Sequence, residues 1–206
     1  MNTPNKITLT RLMLIPLIVF FYLADFIPSG YGKLAATIIF VVASLTDFLD
    51  GYLARKNNQV TTLGKFFDSI ADKVLTMTGL ILIICPTYFS MPAVMPIELG
   101  IACVVVILAR EFIISALRQL AAAKGTVLAA DMGGKIKATA QFIVITLYMF
   151  IAFLRQSGII QGIANTVMNY VLMVLLALTT FLTIYSGCSY LIRNRHVFKE
   201  DKKEEK

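Results

Sequence analysis

The sequence predicts an all-α integral membrane protein with six transmembrane helices. Apolar residues make up 58% of its 206 residues and the mean hydropathy is +0.78, whereas a soluble domain keeps apolar content closer to half. The apolar runs recur along the whole chain, and several are long enough to cross a hydrocarbon core. Most of the chain is therefore expected to lie in the lipid bilayer.

Turn-forming residues divide the apolar sequence into six segments. Pro28-Ser29-Gly30 and Ser157-Gly158 are typical breaks. The whole chain, 1–206, is predicted to be one membrane domain, with a polar cytoplasmic tail over 192–206. The predicted spans are Thr8–Ile27, Leu34–Arg55, Phe66–Cys85, Ile97–Ala121, Lys135–Leu154 and Ile163–Ile192.

The formal net charge of +7 comes from basic residues at the ends of the apolar runs. Their placement favours topology and contact with membrane lipid over nucleic-acid binding, which would need a basic soluble face. By the positive-inside rule, both termini and the loops after the second and fourth spans are cytoplasmic. The opposite side carries Lys33 and Arg155; the cytoplasmic side carries Lys6, Arg11, Arg55, Lys56, Lys65, Lys124, Lys135, Lys137, Arg193 and Arg195.

Four aspartates lie inside the second and third predicted spans: Asp47, Asp50, Asp68 and Asp72. An ionised Asp at a helix centre costs about 2.5–3.5 kcal/mol on insertion scales, and four together cost on the order of 10 kcal/mol unless something offsets it. A structural role does not account for such a cost. The aspartates therefore predict a functional site.

Helical spacing places Asp47 and Asp50 on one face of the second span, and Asp68 and Asp72 one turn apart on the third. Ligation by oxygen alone suits Mg²⁺ or Mn²⁺ and argues against a zinc site of His and Cys. Four carboxylates exceed the needs of one ion, which favours two bridged ions of the kind that assist phosphoryl displacement.

Small residues share these faces and leave room for a diphosphate near the backbone: Gly51, Ala54 and Gly64. Close packing of membrane helices explains them about equally well, but their coincidence with the acidic face favours the ligand. Arg55 is then a candidate contact for the leaving phosphate or base, or else an interfacial anchor.

The combined pattern resembles the signature of the CDP-alcohol phosphatidyltransferase family and matches it at every fixed position. The resemblance implies that family's six-helix fold and cytoplasmic site, with two metal ions on the four aspartates gripping the diphosphate of a CDP-linked lipid. It also implies a cytidine nucleotide pocket formed by Gly51, Ala54, Arg55 and Gly64, and a homodimer. The matching run is Asp47-x2-Asp50-Gly51-x2-Ala54-Arg55-x8-Gly64-x3-Asp68-x3-Asp72.

A second group of basic residues suggests an acceptor that carries its own phosphate. Arg110 and Arg118 are about two turns apart and share a helix face, and Lys135 begins the next span. The alternative is that such residues are positive-inside anchors, and we prefer it for Lys124 and Lys137. Arg110 suits that alternative least, because the sequence on both sides of it is almost wholly apolar.

The stretches around these basic residues, and the N-terminal run from Asn2 to Arg11, are similar to the branch of that family that makes phosphatidylglycerophosphate. This similarity implies transfer from CDP-diacylglycerol to sn-glycerol 3-phosphate, releasing CMP, with Arg110, Arg118 and Lys135 on the acceptor phosphate and Thr8 assisting. Asp72 is the candidate general base, although a carboxylate beside two cations is a weak base.

Near the end of the sixth span, Tyr185, Ser186 and Tyr190 either line the cavity or include aromatic residues of the membrane interface. Another acceptor within the family (one leading to cardiolipin, an inositol phosphate, or serine) remains an alternative. A membrane prenyltransferase would need a second acidic motif, and a divalent-cation transporter would not explain the Gly-x2-Ala-Arg insert. A short six-span chain with no transit peptide predicts a bacterial cell membrane.

Overall fold

The protein is helical throughout the part that the computed structural model describes, namely residues 3–24, 26–56, 62–84, 97–123, 128 and 132–195. Side chains are described for these residues except 3–7, 47–56, 62–66, 97 and 123. Over this part of the chain no β-strand occurs. The prediction of an all-α fold is confirmed.

Six α-helices within the described ranges overlap the six predicted segments. A short 3₁₀ turn at Pro28–Gly30 leads into the second helix, where the sequence predicts a break. The helices are α1 (Thr3–Leu23), α2 (Tyr31–Lys56), α3 (Thr62–Ile83), α4 (Ile97–Ala123), α5 (Met132–Gln156) and α6 (Gly162–Arg193).

Four of these helices are long and apolar enough to cross a membrane, over Pro28–Thr46, Glu98–Ala122, Met132–Gln156 and Gly162–Arg193. Thr8–Leu23 is a shorter apolar segment, and α3 carries Asp68, Asp72 and Lys73 near its middle. These apolar helices indicate a multi-pass membrane protein. The count of six spans stays a prediction.

The bundle is organised around α5, which packs against α2, α3 and α6. α1 packs against α2 and α3, and α4 packs against α6. One continuous apolar core joins the helices, and it includes Ile18, Phe40, Leu80, Ile107, Val144 and Leu176. Because helices that follow each other in sequence run in opposite directions, the functional residues of distant segments meet at a shared end.

Polar contacts between helices concentrate at the two ends of the bundle. The end that carries the predicted site is called the site end, and it is joined by Arg11 with Asp68, Lys137 with Glu111, and Arg110 with Ser186. The opposite end is joined by Lys33 with Gln156 and by Arg155 with Asn169. The apolar core lies between them.

Gly79 lets α3 approach α2 and α5 closely. A Cβ atom at this position would lie 2.6 Å from Ile145 Cγ2 and 3.1 Å from the Phe40 ring. Both neighbours belong to the buried core, so neither can move away freely. The position of α3, and with it the position of Asp68 and Asp72, therefore depends on a residue without a side chain at 79.

Gly79→Ala is expected to lower the stability of the purified protein by about 1–3 kcal/mol, because it overpacks a filled core. The measurement is the unfolding midpoint in detergent. Gly134→Ala is the matched control, since nothing lies within 4 Å of a Cβ built there. If both variants unfold at the wild-type midpoint, α3 is not held by this contact.

Candidate active site

The acidic face of α3 is one side of the candidate site. Asp68 and Asp72 lie one helical turn apart at the site end, and the Asp68 side chain is 50% exposed. Asp72 is also exposed, and it lies close enough to Lys137 of α5 to attract it electrostatically. Two carboxylates in this spacing can contact one ligand from the same face.

Arg11 of α1 holds Asp68 from within the protein. Its side chain is completely buried, and Nη1 donates a hydrogen bond of 3.3 Å to Asp68 Oδ1. Arg11 continues the buried stripe of α1 formed by Ile15, Ile18 and Tyr22, so helical periodicity directs it into the bundle. A buried guanidinium next to a half-exposed carboxylate fixes the orientation of that carboxylate.

The remaining predicted metal and nucleotide residues lie on helical backbone, but their side chains are outside the described residues. α2 and α3, which carry them, pack against each other. These residues are Asp47, Asp50, Gly51, Ala54, Arg55 and Gly64. Their roles stay predictions.

The described part of the site fits a hard divalent cation in donor chemistry. Asp68 and Asp72 offer carboxylate oxygens, the ligand type that Mg²⁺ and Mn²⁺ prefer. Among the residues whose side chains are described, no group of three His, Cys, Asp or Glu stands close enough together to hold an ion. These two aspartates are half of the predicted quartet.

Glu111 of α4 connects the acidic face to the basic residues. Its Oε1 accepts a hydrogen bond from Lys137 Nζ and another, 3.2 Å long, from Arg110 Nη1. The Lys137 side chain is only 5% exposed, so its charge needs this partner. One carboxylate thus serves two cations from two helices.

The interpretation of Lys137 as a positive-inside anchor is wrong. Its side chain points into the bundle, on the same buried stripe as Gln141, Val144 and Ile145. An interfacial anchor would extend toward water and lipid headgroups instead. The apolar stripe that continues from Lys137 at helical spacing was the sequence feature that could have indicated its burial.

Arg110 and Arg118, both predicted acceptor residues, are held by α6. Arg110 Nη2 donates a 2.9 Å hydrogen bond to Ser186 Oγ. Arg118 Nε donates one of 3.2 Å to Tyr190 Oη, and its guanidinium carbon lies 5.3 Å from the centre of the same ring. The two arginines therefore face one surface of α6, as their spacing predicts.

Lys135 and Thr8 differ from the two arginines in their surroundings. Lys135 is exposed in the first turn of α5, where its carbonyl oxygen accepts a hydrogen bond from Thr139. Thr8 is buried on α1, one turn before Arg11. Their roles at the acceptor phosphate stay predictions.

Several site residues have roles that the sequence does not indicate. The sequence predicts only that Arg11 is one of the basic residues on the cytoplasmic side. It predicts no partner for Glu111. An acid such as Glu111 inside an apolar run needs a neutralising base, and that requirement could have directed attention to Lys137 and Arg110. Which basic residue neutralises Glu111 depends on the tertiary packing of the helices.

Comparison with known proteins identifies the family of this chain. A model of the CDP-alcohol phosphatidyltransferase family matches residues 1–185. The chain belongs to the CDP-alcohol phosphatidyltransferase family. This membership agrees with the resemblance found in the sequence, and it argues against a prenyltransferase or a cation transporter.

Bacterial relatives match this CDP-alcohol phosphatidyltransferase over nearly their whole length. A protein of Bacillus subtilis (strain 168) is 37% identical, over 96% of this chain and 97% of its own. Similar proteins come from Pectobacterium atrosepticum (36% identical; 95% of this chain, 96% of its own) and Rickettsia felis (35%; 92% and 93%). Each is named CDP-diacylglycerol–glycerol-3-phosphate 3-phosphatidyltransferase.

Glu111→Gln is expected to destabilise this phosphatidyltransferase more than Lys137→Met does. The first change leaves two cations without their carboxylate, whereas the second leaves Glu111 still paired with Arg110. Removing one partner of a buried ion pair costs up to about 3–5 kcal/mol. The measurement is the unfolding midpoint in detergent.

Lys135→Met is the matched control for Lys137→Met, because Lys135 lies two residues earlier on the same helix and is exposed. It is expected to unfold at the wild-type midpoint. Equal midpoints for the Lys135 and Lys137 variants would contradict a buried, paired Lys137.

Proposed function

We propose that this protein is the membrane enzyme that transfers the phosphatidyl group from CDP-diacylglycerol to sn-glycerol 3-phosphate, giving phosphatidylglycerophosphate and CMP. One observation carries the proposal: Glu111 pairs with Arg110 of α4 and with Lys137 of α5, and Lys137 is close enough to Asp72 for electrostatic attraction, so the acidic face of α3 and the arginine-bearing face of α4 are neighbours at the same end of the bundle. A diphosphate donor and a phosphorylated acceptor require such neighbouring sites. The names of the relatives support this choice of substrates.

The donor side of the site is the set of four aspartates. Asp47, Asp50, Asp68 and Asp72 are proposed to hold two divalent ions, Mg²⁺ or Mn²⁺, which when bound neutralise the diphosphate and the departing CMP. Arg11 keeps Asp68 oriented toward that site. Gly51, Ala54, Arg55 and Gly64 are proposed to accommodate the cytidine nucleotide.

The acceptor side is proposed to be the arginine pair, assisted by Lys135 and Thr8. Arg110 and Arg118 offer planar groups of N–H donors, which match the oxygens of a phosphate monoester. We propose that binding the phosphate there directs the C1 hydroxyl of glycerol 3-phosphate toward the donor at α3. This is the arrangement needed for attack on the donor.

In the proposed reaction, Asp72 accepts the proton from the C1 hydroxyl of glycerol 3-phosphate. The hydroxyl oxygen then forms a bond to the lipid-side phosphorus, and the bond from that phosphorus to the CMP oxygen breaks. CMP leaves with both electrons of that bond. A carboxylate close to cations is a weak base, so positioning of the hydroxyl is part of the contribution of Asp72.

The setting that we propose is a bacterial cell membrane. The chain would cross it six times, with both termini and the site end facing the cytoplasm, as the distribution of basic residues favours. Lipid would then enter from the bilayer while glycerol 3-phosphate arrives from water. A homodimer is proposed on the resemblance to the family alone.

Purified protein given CDP-diacylglycerol is expected to release CMP many times faster once sn-glycerol 3-phosphate is added. Release of CMP is measured alongside the lipid product, with serine, inositol phosphate and phosphatidylglycerol as alternative acceptors. If one of those alternatives raises CMP release and glycerol 3-phosphate does not, the acceptor assignment is wrong and the family assignment stands.

Asp72→Asn is expected to lower kcat by about 10²–10⁴-fold, the usual contribution of a positioned base. Lys73→Gln is the matched control on the next residue, since Lys73 bonds only Ser69 of its own helix in the described contacts. Removal of divalent ions with EDTA is expected to abolish CMP release, and Mg²⁺ or Mn²⁺ to restore it. Full activity in Asp72→Asn, or in EDTA, would contradict the two-metal proposal.

A further inference from the structure

We propose that Ser186, Gly187 and Tyr190 of α6 are positioning residues for the two acceptor arginines and determine selectivity for an acceptor that carries a phosphate monoester. The proposal rests on the proposed function and extends it to residues outside the donor and acceptor sites. These three residues are called the α6 cradle. It is distinct from Tyr185, whose side chain is exposed.

Ser186 is placed to orient Arg110. It is 4% exposed, and its hydroxyl lies 3.3 Å from the carbonyl oxygen of Thr183, one turn earlier in α6. When the hydroxyl donates its proton to that carbonyl, its lone pairs are left for Arg110, whose Nη2 lies 2.9 Å away. A buried serine that accepts from a guanidinium fixes one edge of that group.

Gly187 provides the surface on which Arg110 lies. A Cβ atom at this position would be 2.9 Å from Arg110 Cγ and 3.2 Å from Arg110 Nε. The aliphatic part of the arginine therefore rests directly against the backbone of α6. Any larger residue at 187 has to displace the arginine.

Tyr190 orients Arg118 in two ways. Its ring is 3% exposed and packs with Ile114 and Leu117 of α4, so it has a fixed position. The ring faces the Arg118 guanidinium, and the hydroxyl accepts a hydrogen bond from Nε. Arg118 itself is exposed, and a long exposed side chain is held in one orientation only by such contacts.

The contacts made by the cradle leave donors for a ligand. Arg110 uses one N–H of Nη1 for Glu111 and one N–H of Nη2 for Ser186, so each of these two amino groups keeps a second N–H. Arg118 is bound to the cradle through Nε, and its Nη groups make none of the described side-chain hydrogen bonds. A guanidinium has five N–H donors, so both arginines keep some for phosphate oxygens.

The cradle holds both arginines through one short stretch of α6. Arg110 and Arg118 are eight residues apart, or about 12 Å along α4. Their partners Ser186 and Tyr190 are four residues apart, or about 6 Å along α6. About one turn of α6 therefore positions both arginines.

Selectivity for a phosphate-bearing acceptor follows from the cost of leaving the two arginines unpaired when the phosphate is missing. Two partly desolvated guanidiniums lose their hydrogen-bonding partners if a neutral alcohol takes the place of glycerol 3-phosphate. A site built to bond a polar group rejects the analogue that lacks it, because its own groups are left unpaired. Glycerol, which keeps the hydroxyls and lacks the phosphate, is the informative comparison.

The test compares Ser186→Ala, Gly187→Ala and Tyr190→Phe with wild type, using steady-state CMP release. Each variant is expected to raise the KM for glycerol 3-phosphate about tenfold, the low end for losing a hydrogen bond to a charged group. The KM for CDP-diacylglycerol is expected to stay within about twofold, because the described polar contacts of the cradle are with the arginines of α4 and within α6. The preference for glycerol 3-phosphate over glycerol is expected to fall by a similar factor.

Two neighbours on α6 are matched controls: Ser189→Ala for the serine and Tyr185→Phe for the tyrosine. Both are expected to keep the wild-type KM values. The proposal is overturned if the controls change KM as much as the cradle variants, or if a cradle variant alters the two KM values equally. If Gly187→Ala does not fold, the proposal is tested by Ser186→Ala and Tyr190→Phe, which only remove atoms.

A second measurement separates this proposal from the proposed function. Glycerol 3-phosphate is expected to raise the unfolding midpoint of wild type, with a smaller rise in Tyr190→Phe and none from glycerol. Stabilisation without transfer would overturn the proposed function and leave the cradle standing. Transfer by wild type with unchanged KM values in the variants would overturn the cradle alone, and neither stabilisation nor transfer would overturn both.

Discussion

Charged side chains in a lipid-facing bundle need partners, and this requirement organises the whole protein. Arg11 with Asp68, and Lys137 with Arg110 around Glu111, are joined across four different helices. Apolar side chains discriminate only weakly between helix arrangements, because lipid solvates them as well as protein does. A buried lysine or arginine discriminates strongly, since each misplaced charge is costly. The ion pairs therefore determine which helix faces meet.

The same pairs give the site its two halves. The carboxylates of Asp68 and Asp72 on α3 reach the surface, and Asp68 is held from behind by a buried arginine. The arginines of α4 are held by hydroxyl groups of α6, and some of their donors remain available. Glu111 stands between the halves and balances two cations. The acidic face of α3 and the arginines of α4 thus lie on separate helices, with Lys137 and Glu111 between them.

Much of the fold and part of the site could be predicted from the sequence. Helical spacing places Asp68 and Asp72 on one face and Arg110 and Arg118 on another, because both are local properties of one helix. Lys135 and Lys137 show the limit of prediction from the spacing along a single helix. Lys135 and Lys137 are both basic residues near the start of α5; the apolar stripe that follows Lys137 indicates that it is the buried one, but only the tertiary structure shows that Glu111 is its partner.

By itself, the sequence determined a helical membrane protein, its family pattern and the chemistry of its acids and bases. These follow from composition and from spacing along single helices, where neighbours in sequence are neighbours in space. The tertiary structure alone decided that Arg11 supports Asp68, that Glu111 serves two cations, and that Ser186 and Tyr190 hold the arginines. Apart from the adjacent pair Arg110–Glu111, those contacts join residues 26 to 76 positions apart, and no local periodicity specifies which distant helix lies alongside.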